Sequence, residues 1–265
     1  MGDDTETMVL WALTEWDQPY QKTQQPMPQV KGSEVLIKVM HCGYYHSNPW
    51  AAESDSTSKI AASNLPVVGG HEIFGTIAKV GPDAEGLVSD DIASLDVGAK
   101  RIVYHWLGCS NCTDQEKDNL CGAQQRLVTL RHGGLDGNVV VPHPKCLIDP
   151  GDLDPTVACT FGCAGVTAIS AVSKILPVPA DDPVLLIGAG GVELATISAL
   201  RAYGHRNIIS VGIGDDKLAA ASKAGATTVI NSSQGDPAKA ITEACGGPVL
   251  SVVDFVNNSE ATAIP

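Results

Sequence analysis

Three stretches of the chain combine side chains that bind metal ions or move protons. They hold His46 and Ser47 in HCGYYHSN, His71 and Glu72 in PVVGGHEIFG, and Cys163 in TFGCAGVTA. Histidine, cysteine and glutamate are ligands that zinc accepts in proteins. Taken singly, each also has an ordinary interpretation: the cysteine can be a buried apolar side chain, and the turn histidine can be bonded to backbone.

A fourth stretch, GCSNCTDQEKDNLC, places Cys109, Cys112 and Cys121 in a polar, poorly patterned segment. A Cys-x-x-Cys pair with a further cysteine nearby is typical of a small metal-binding lobe. A closed structural zinc site needs four ligands, so Asp114 or another group would have to be the fourth. The alternative is a surface loop that carries free thiols.

A glycine-rich turn in VLLIGAGGVELA joins a strand-like run to a helix-like run through Gly188, Gly190 and Gly191. Glycines at these places let the backbone approach a pyrophosphate at a helix N-terminus. Two positions depart from that fingerprint: the third is Glu193 instead of Gly or Ala, and the next strand ends at Gly212 instead of an acid. The charged residues that follow select neither NAD nor NADP: Asp215, Asp216 and Lys217. The alternative is a turn without a ligand.

The elements that would position these residues change character along the chain. Residues 1–150 contain short Val- and Ile-rich runs bounded by turn residues, among them EVLIKVMHC, EIFGTIAKVG, RIVYHWLG and LDGNVVVP, which predict strands. TVACTFGCAGVTAISAVSKIL (156–176) has the length and small-apolar content of a buried helix. From Val184 onward, strands and helices alternate, which predicts a parallel sheet covered on both faces.

Four predicted strands of the alternating region precede Pro265. They correspond to the first half of a doubly wound dinucleotide fold and one further strand. Completion by another chain, an unusually short variant and an incomplete sequence are three explanations that the sequence leaves open. The sheet edge near VVDFV favours association with another chain.

The composition excludes several classes of partner. The 265 residues are 44% hydrophobic, enough for a large core, and their formal net charge of −13 repels nucleic acid and anionic membranes. No apolar run approaches the roughly 20 residues of a membrane helix, and MGDDTETMVLW lacks the features of a secretory signal. The eight cysteines then indicate a reducing compartment, so we expect a cytoplasmic protein.

Several motifs in a fixed order, CGYYHSN, GGHEIFGTIAKVG, DVGAKRIVY, the cysteine segment, CAGVTA and IGAGGVE, resemble the zinc-containing alcohol dehydrogenases of the medium-chain dehydrogenase/reductase superfamily. The resemblance implies an α/β plus β fold: a GroES-like β-rich catalytic domain at residues 1–155 and a Rossmann-type parallel α/β nucleotide-binding domain at 156–265, incomplete in this chain. It also implies zinc, NAD or NADP with NAD slightly favoured, an alcohol or aldehyde substrate, and a homo-oligomer of two or four chains.

Carried over by position, the resemblance makes His71 and Cys163 zinc ligands and Glu72 a nearby acid that can act as an alternate ligand. Ser47 would take the substrate proton, and His46 would lie near the cofactor phosphates and continue the relay. The remaining positions would bind the cofactor: Gly188, Gly190, Gly191 and Val192 at the pyrophosphate, Gly212 and Lys217 near the adenosine ribose, and Thr167 at the nicotinamide.

The departures from the family pattern fall on its functional positions. Tyr45 stands where the family has its first zinc-ligand cysteine, and Asn48 replaces an aspartate that orients a ligand histidine. In the cysteine segment, Gln115 stands near the place of a missing cysteine. Beside an active dehydrogenase, two further hypotheses are therefore open. One is a catalytically inactive binding or scaffold subunit. The other is a metal-independent reductase, against which the retained His-Glu-Cys set argues.

Overall fold

The computed structural model describes residues 6–16, 18–44, 65–88, 94–108, 118–128 and 130–256. The chain divides into two compact units. The first, which we call the β unit, ends at Cys163, and the second, the α/β unit, begins at Ala164. The sequence predicted this boundary at Pro155.

The β unit consists mainly of antiparallel strands. Among its described residues these are β1 Thr7–Leu13, β2 Gln21–Pro26, β3 Val35–Gly43, β4 Val67–Val68, β5 Glu72–Val80, β6 Lys100–Val103, β7 Asn138–Val141 and β8 Leu147–Ile148. They form a three-stranded sheet of order β2-β1-β4 and a five-stranded sheet of order β7-β3-β5-β6-β8. Both sheets are antiparallel throughout.

The core of the larger sheet comes from the branched side chains that the strand pattern predicted. Val35 and Ile37 of β3 pack with Ile73 and Ile77 of β5 in one buried cluster. Gly75 of β5 lies close to the backbone of its neighbour β3, because a Cβ at Gly75 would overlap the Lys38 carbonyl. The predicted strand RIVYHWLG is shorter than expected, since pairing ends at Val103.

The prediction of one buried helix over 156–176 is wrong. The segment instead forms α1 (Pro155–Ala158), a 3-10 turn (Cys159–Gly162) and α2 (Ala164–Ile175). Cys163 interrupts the helical path with φ −138° and ψ −72°. Gly162 lies directly against the Val103 carbonyl, where a Cβ would clash. Helix α2 is also not buried all round, since Val166 and Ile169 are exposed.

The α/β unit alternates strands and helices as predicted. It contains β9 Val184–Ile187, α3 Gly191–Ala202, β10 Ile208–Gly212, α4 Asp215–Ala224, β11 Thr228–Asn231, α5 Pro237–Cys245 and β12 Ser251–Asp254. The four strands are parallel and lie in the order β11-β10-β9-β12, with one buried apolar cluster on either side. This is the strand order of the dinucleotide-binding fold. The predicted fold class, a β-rich unit followed by a parallel α/β unit, is confirmed.

None of the described helices is by itself long and apolar enough to cross a membrane. One bent pair, Pro155–Gly162 with Ala164–Ile175, reaches the necessary length and composition only when its two members are taken together. Core helices of soluble proteins have the same properties.

Candidate functional site

His71 lies in the turn that leads into β5. The turn is formed by Gly69 and Gly70, and Gly70 has a φ of +82°, which favours glycine. Space is limited as well, because a Cβ at Gly70 would come within 2.5 Å of the Cys42 sulfur. The two glycines therefore allow His71 to enter the interior, where the residue is 7% exposed.

His105, which no sequence motif marks as a ligand, lies just beyond β6. The Tyr104 N–H donates to the Cys146 carbonyl over 2.8 Å, after which the chain leaves the sheet. His105 is 7% exposed, and its Nδ1 lies 3.3 Å from the Gly162 carbonyl oxygen. Because a carbonyl oxygen only accepts, Nδ1 carries the hydrogen and Nε2 keeps its lone pair.

The register of the sheet explains why the two histidines meet. Ile73 pairs with Val103 in the antiparallel β5–β6 ladder. Two residues further out on each strand, His71 and His105 come opposite one another on the same face. Their ring centroids are 4.5 Å apart, with the planes tilted by 53°.

Cys163 completes a group of three donors. One ring nitrogen from each of His71 and His105 and the Cys163 sulfur all lie within 4.8 Å of one another. A tetrahedral zinc with bonds of about 2.0–2.3 Å needs its donors about 3.3–3.6 Å apart, so a small movement of side chains suffices. The break in the helix at Cys163 carries the thiol to this place. The donor types and spacing fit a zinc ion.

The protonation states of the three donors also suit a metal. Burial lowers the pKa of His71 to about 4. Burial, followed by the charge of His71, lowers the pKa of His105 to about 3, so both imidazoles are neutral near pH 7. Burial, followed by the Glu72 carboxylate, raises the pKa of Cys163 to about 12. A metal ion would displace that thiol proton on binding.

Glu72 lies beside the donor group and not within it. Successive residues of a strand point to opposite faces, so the Glu72 side chain diverges from that of His71. Its carboxylate lies against Gly43 of β3, where a Cβ would overlap it, and the residue is only 4% exposed. In this arrangement, burial and then the negative charge of the Glu72 carboxylate raise the pKa of the Cys163 thiol.

Several predicted site residues lie outside the described residues. These are Tyr45, His46, Ser47, Cys109 and Cys112. Cys121 is described and buried, and its sulfur accepts a hydrogen bond from the Ala123 N–H at 3.4 Å. Within the part of the chain that the structure describes, the group of His71, His105 and Cys163 is the one cluster of His, Cys, Asp and Glu side chains close enough to hold a metal.

The glycine loop of the α/β unit connects β9 to α3. Gly188 has a φ of +113°, and Gly190 is the N-cap of the helix. Among the described residues, apart from its chain neighbours and the backbone of its own helix, no atom lies within 4 Å of the place where a Cβ of Gly191 would be. The first N–H groups of a helix also have no acceptor within the helix. The backbone shape of the loop therefore fits a phosphate group.

Glu193 occupies part of that loop. Its carboxylate accepts a hydrogen bond from the Gly190 N–H at 3.0 Å, and the residue is 6% exposed. A Cβ at Gly188 would overlap the same carboxylate. The interaction is half of a capping box and places negative charge at a helix N-terminus, which stabilises the helix. It also uses one donor that a pyrophosphate would need.

The other predicted cofactor positions lie on one strand and two helices of the α/β unit. Gly212 ends β10, and a Cβ there would lie 3.1 Å from that of Ala189, so little room exists for an acidic side chain. Lys217 is exposed on α4. Asp215 accepts a hydrogen bond from the Asn231 amide at 2.6 Å. Thr167 is exposed on the first turns of α2.

Two domain families match the chain. Residues 31–150 match the alcohol dehydrogenase GroES-like domain, and residues 191–263 match the zinc-binding dehydrogenase domain. An NAD-dependent alcohol dehydrogenase from Sulfurisphaera tokodaii is 31% identical over 94% of this chain and 72% of its own length. An alcohol dehydrogenase from Geobacillus stearothermophilus is 29% identical over 93% of this chain and 70% of its own length.

Solved structures agree in fold. The D-arabinose dehydrogenase from Sulfolobus solfataricus superposes with a TM-score of 0.80 at 25% identity, covering 97% of this chain and 76% of that one. The alcohol dehydrogenase from Aeropyrum pernix superposes with a TM-score of 0.82 at 20% identity, covering 95% and 73%. The chain belongs to the zinc-containing alcohol dehydrogenase family of the medium-chain dehydrogenase/reductase superfamily, which confirms the resemblance drawn from its motifs.

Proposed function

We propose that this chain is a zinc-dependent alcohol dehydrogenase that transfers a hydride reversibly between a primary or secondary alcohol or aldehyde and NAD or NADP. The observation that carries the proposal is the group of His71, His105 and Cys163, in which two buried, neutral imidazoles lie close to a partly buried thiol. Family membership supports the same reaction, since relatives over 94% of the chain are NAD-dependent alcohol dehydrogenases.

In this proposal the β unit is the catalytic domain. His71 and Cys163 would hold a zinc ion, and the chemistry supplied there would be Lewis-acid polarisation of the substrate oxygen, which lowers the pKa of an alcohol. The burial of His71 and His105, each 7% exposed, strengthens charge interactions at this place. Glu72 holds its carboxylate beside the site, as an alternate ligand or as a charge acting on Cys163.

The proton leaves through residues on the 41–48 segment. We assign Ser47 as the group that accepts the substrate hydroxyl proton and His46 as the next group of the relay. Ser47→Ala is expected to lower kcat about 100-fold, because general acid–base catalysis contributes at least that factor. Ser173→Ala, on the exposed face of α2, is the matched control and should leave kcat unchanged.

The α/β unit binds the nucleotide in this proposal. Gly190, Gly191 and Val192 offer backbone N–H groups to the pyrophosphate, provided that Glu193 releases the Gly190 N–H. Gly212 and Lys217 lie near the adenosine ribose and Thr167 near the nicotinamide. The reduced nicotinamide product is the quantity to measure.

The direct test combines turnover with metal analysis of the purified chain. With added zinc, a panel of primary and secondary alcohols and either NAD or NADP, we expect an alcohol-dependent rise in reduced-cofactor absorbance and about one tightly held zinc per catalytic site. Less than about one tenth of an equivalent of metal, with no turnover, would contradict the proposal. Metal without turnover would favour a binding or scaffold subunit.

We further propose a cytoplasmic homo-oligomer of two or four chains that binds neither nucleic acid nor membranes. The net charge of −13 supports the absence of nucleic-acid and membrane partners, and the eight cysteines support a reducing compartment such as the cytoplasm. The edge strand β12 of the parallel sheet supports association between chains. Sedimentation of the purified chain tests the assembly, and a single species of monomer mass would contradict it.

A further inference from the structure

We infer that His105 is a zinc ligand, so that the chain holds its metal through a His71–His105–Cys163 set of two nitrogens and one sulfur. This inference rests on the proposed function, in which zinc is bound at this place. Catalytic zinc sites have three protein ligands and an open position for water or substrate. His71 and Cys163 supply two of the three, and a third donor has to come from the side chains around them.

The geometry selects His105 for that role. It is the third member of the group whose donor atoms lie within 4.8 Å of one another. It is as deeply buried as His71, and the two rings face each other at 4.5 Å between centroids. An antiparallel register that ends at Ile73 and Val103 fixes this closeness in the backbone.

The hydrogen bond of His105 fixes the orientation of its ring through one nitrogen, as is usual for histidines that bind a metal through the other. Its Nδ1–H points to the Gly162 carbonyl, and a backbone carbonyl is one of the partners that ligand histidines use to fix their tautomer. The other nitrogen, Nε2, then has its lone pair available. Gly162 directly precedes Cys163, so the carbonyl that orients one ligand belongs to the backbone that carries another.

The neighbouring thiols do not fill the same role. Cys42 packs its sulfur close to Gly70 and Gly134 and lies 3.8 Å from the Gly43 carbonyl. The Cys159 sulfur lies 3.4 Å from the Thr156 carbonyl. Neither belongs to the donor group found among the described residues.

The segment that carries His105 is held in place by its neighbours. The Trp106 ring lies 4.8 Å from that of His105, and the Arg126 guanidinium lies over Trp106 at 5.4 Å. The Leu107 carbonyl accepts a hydrogen bond of 2.8 Å from the Gln125 N–H. Ligands held by such packing are preorganised for a metal.

The test is metal binding by the whole chain, with zinc and cobalt(II) as probes. Cobalt(II) reports its ligands through d–d bands and through a sulfur-to-cobalt charge-transfer band. For the unchanged chain we expect one equivalent, with intense d–d bands typical of four-coordination. His105→Ala should weaken zinc binding by at least about 100-fold, since loss of a mere supporting group already costs 10–100-fold. His143→Ala, a histidine of the same unit that caps the turn at Pro144–Cys146, is the matched control and should bind like the unchanged chain.

His105→Cys keeps the inference testable if the alanine variant does not fold. It should retain zinc and should raise the charge-transfer intensity roughly twofold, because two thiolates then bind the cobalt instead of one. Unchanged affinity and spectrum in His105→Ala would overturn the inference while leaving the proposed function standing. So would an unchanged charge-transfer intensity in His105→Cys. A metal-free unchanged chain would overturn both.

Discussion

The donor group of the β unit and the glycine loop of the α/β unit each depart from the family pattern at one functional position, and the two departures have different consequences. In the sequence of the β unit, Tyr45 replaces a ligand cysteine of the family, yet the structure brings His105 within 4.8 Å of the other two donors, His71 and Cys163. In the loop, Glu193 stands where a small residue is usual, and its carboxylate takes the Gly190 N–H. A sheet that brings several polar side chains together can replace one donor with another. A helix N-terminus, whose donors are few, has no such reserve.

Of the changes considered, removal of the Cys163 sulfur should have the largest effect, and that effect is on zinc affinity. Cys163→Ser should reduce zinc affinity by more than about 100-fold, because each ligand of a zinc site contributes roughly 3 kcal/mol of binding free energy. Competition with a chromophoric chelator measures the loss. Cys245→Ser, in the α/β unit, is the control, and equal affinity in the two variants would contradict the assigned donor group.

A second substitution should show whether a ligand at position 45 can replace a ligand at position 105. In the His105→Ala background, Tyr45→Cys should recover most of the roughly 100-fold loss in zinc affinity, since a thiolate at the family position would again make three ligands. The measurement is the same chelator competition. Tyr44→Cys in that background is the control, and recovery by it as well would mean that any added thiol binds the metal.

In the glycine loop, Glu193 is the residue that departs from the family pattern, as Tyr45 does in the β unit. Glu193→Gly should tighten NADH binding about tenfold, because it frees the Gly190 N–H and removes a negative charge beside the pyrophosphate. It should also lower the free energy of unfolding by about 1–2 kcal/mol, through loss of the cap and the added glycine. Calorimetry measures the first quantity and denaturant unfolding the second.

Glu193→Gln separates charge from hydrogen bonding in that experiment. The amide oxygen can still accept from Gly190, so we expect an intermediate gain of about threefold. Glu243→Gln, on the exposed surface of α5, is the control for net charge alone. If NADH binds the unchanged chain as tightly as the glycine variant, the carboxylate does not compete with the cofactor.

Substitution of Lys217 should have the smallest effect, and that effect is on the relative affinities for NADP and NAD. Lys217→Ala is expected to lower the affinity for NADP relative to that for NAD by about two- to fourfold, because an exposed charge contributes less than about 1 kcal/mol. The effect should shrink further as salt is raised. The ratio of dissociation constants measures it, with Lys223→Ala on the same helix as control. An unchanged ratio would remove Lys217 from the ribose site.

The local patterns of the sequence predicted much of the fold. The alternation of apolar strands and helices after Val184, with glycines at the helix ends, is a short-range property and was sufficient for the parallel sheet. The order of the motifs was sufficient for the family. The single helix over 156–176 was predicted wrongly, because composition does not reveal that Gly162 must pack against the Val103 carbonyl.

His105 shows what only the tertiary structure decided. In the sequence it is one residue of RIVYHWLG, 34 residues from His71 and 58 from Cys163, with no spacing that marks a ligand. The antiparallel register of β5 and β6 brings it opposite His71, and the break before α2 brings Cys163 to both. The sequence by itself determined which side chains with metal-binding chemistry the chain carries and which family it belongs to. Which of them meet depended on strand pairing, because register is a long-range contact that local patterns do not encode.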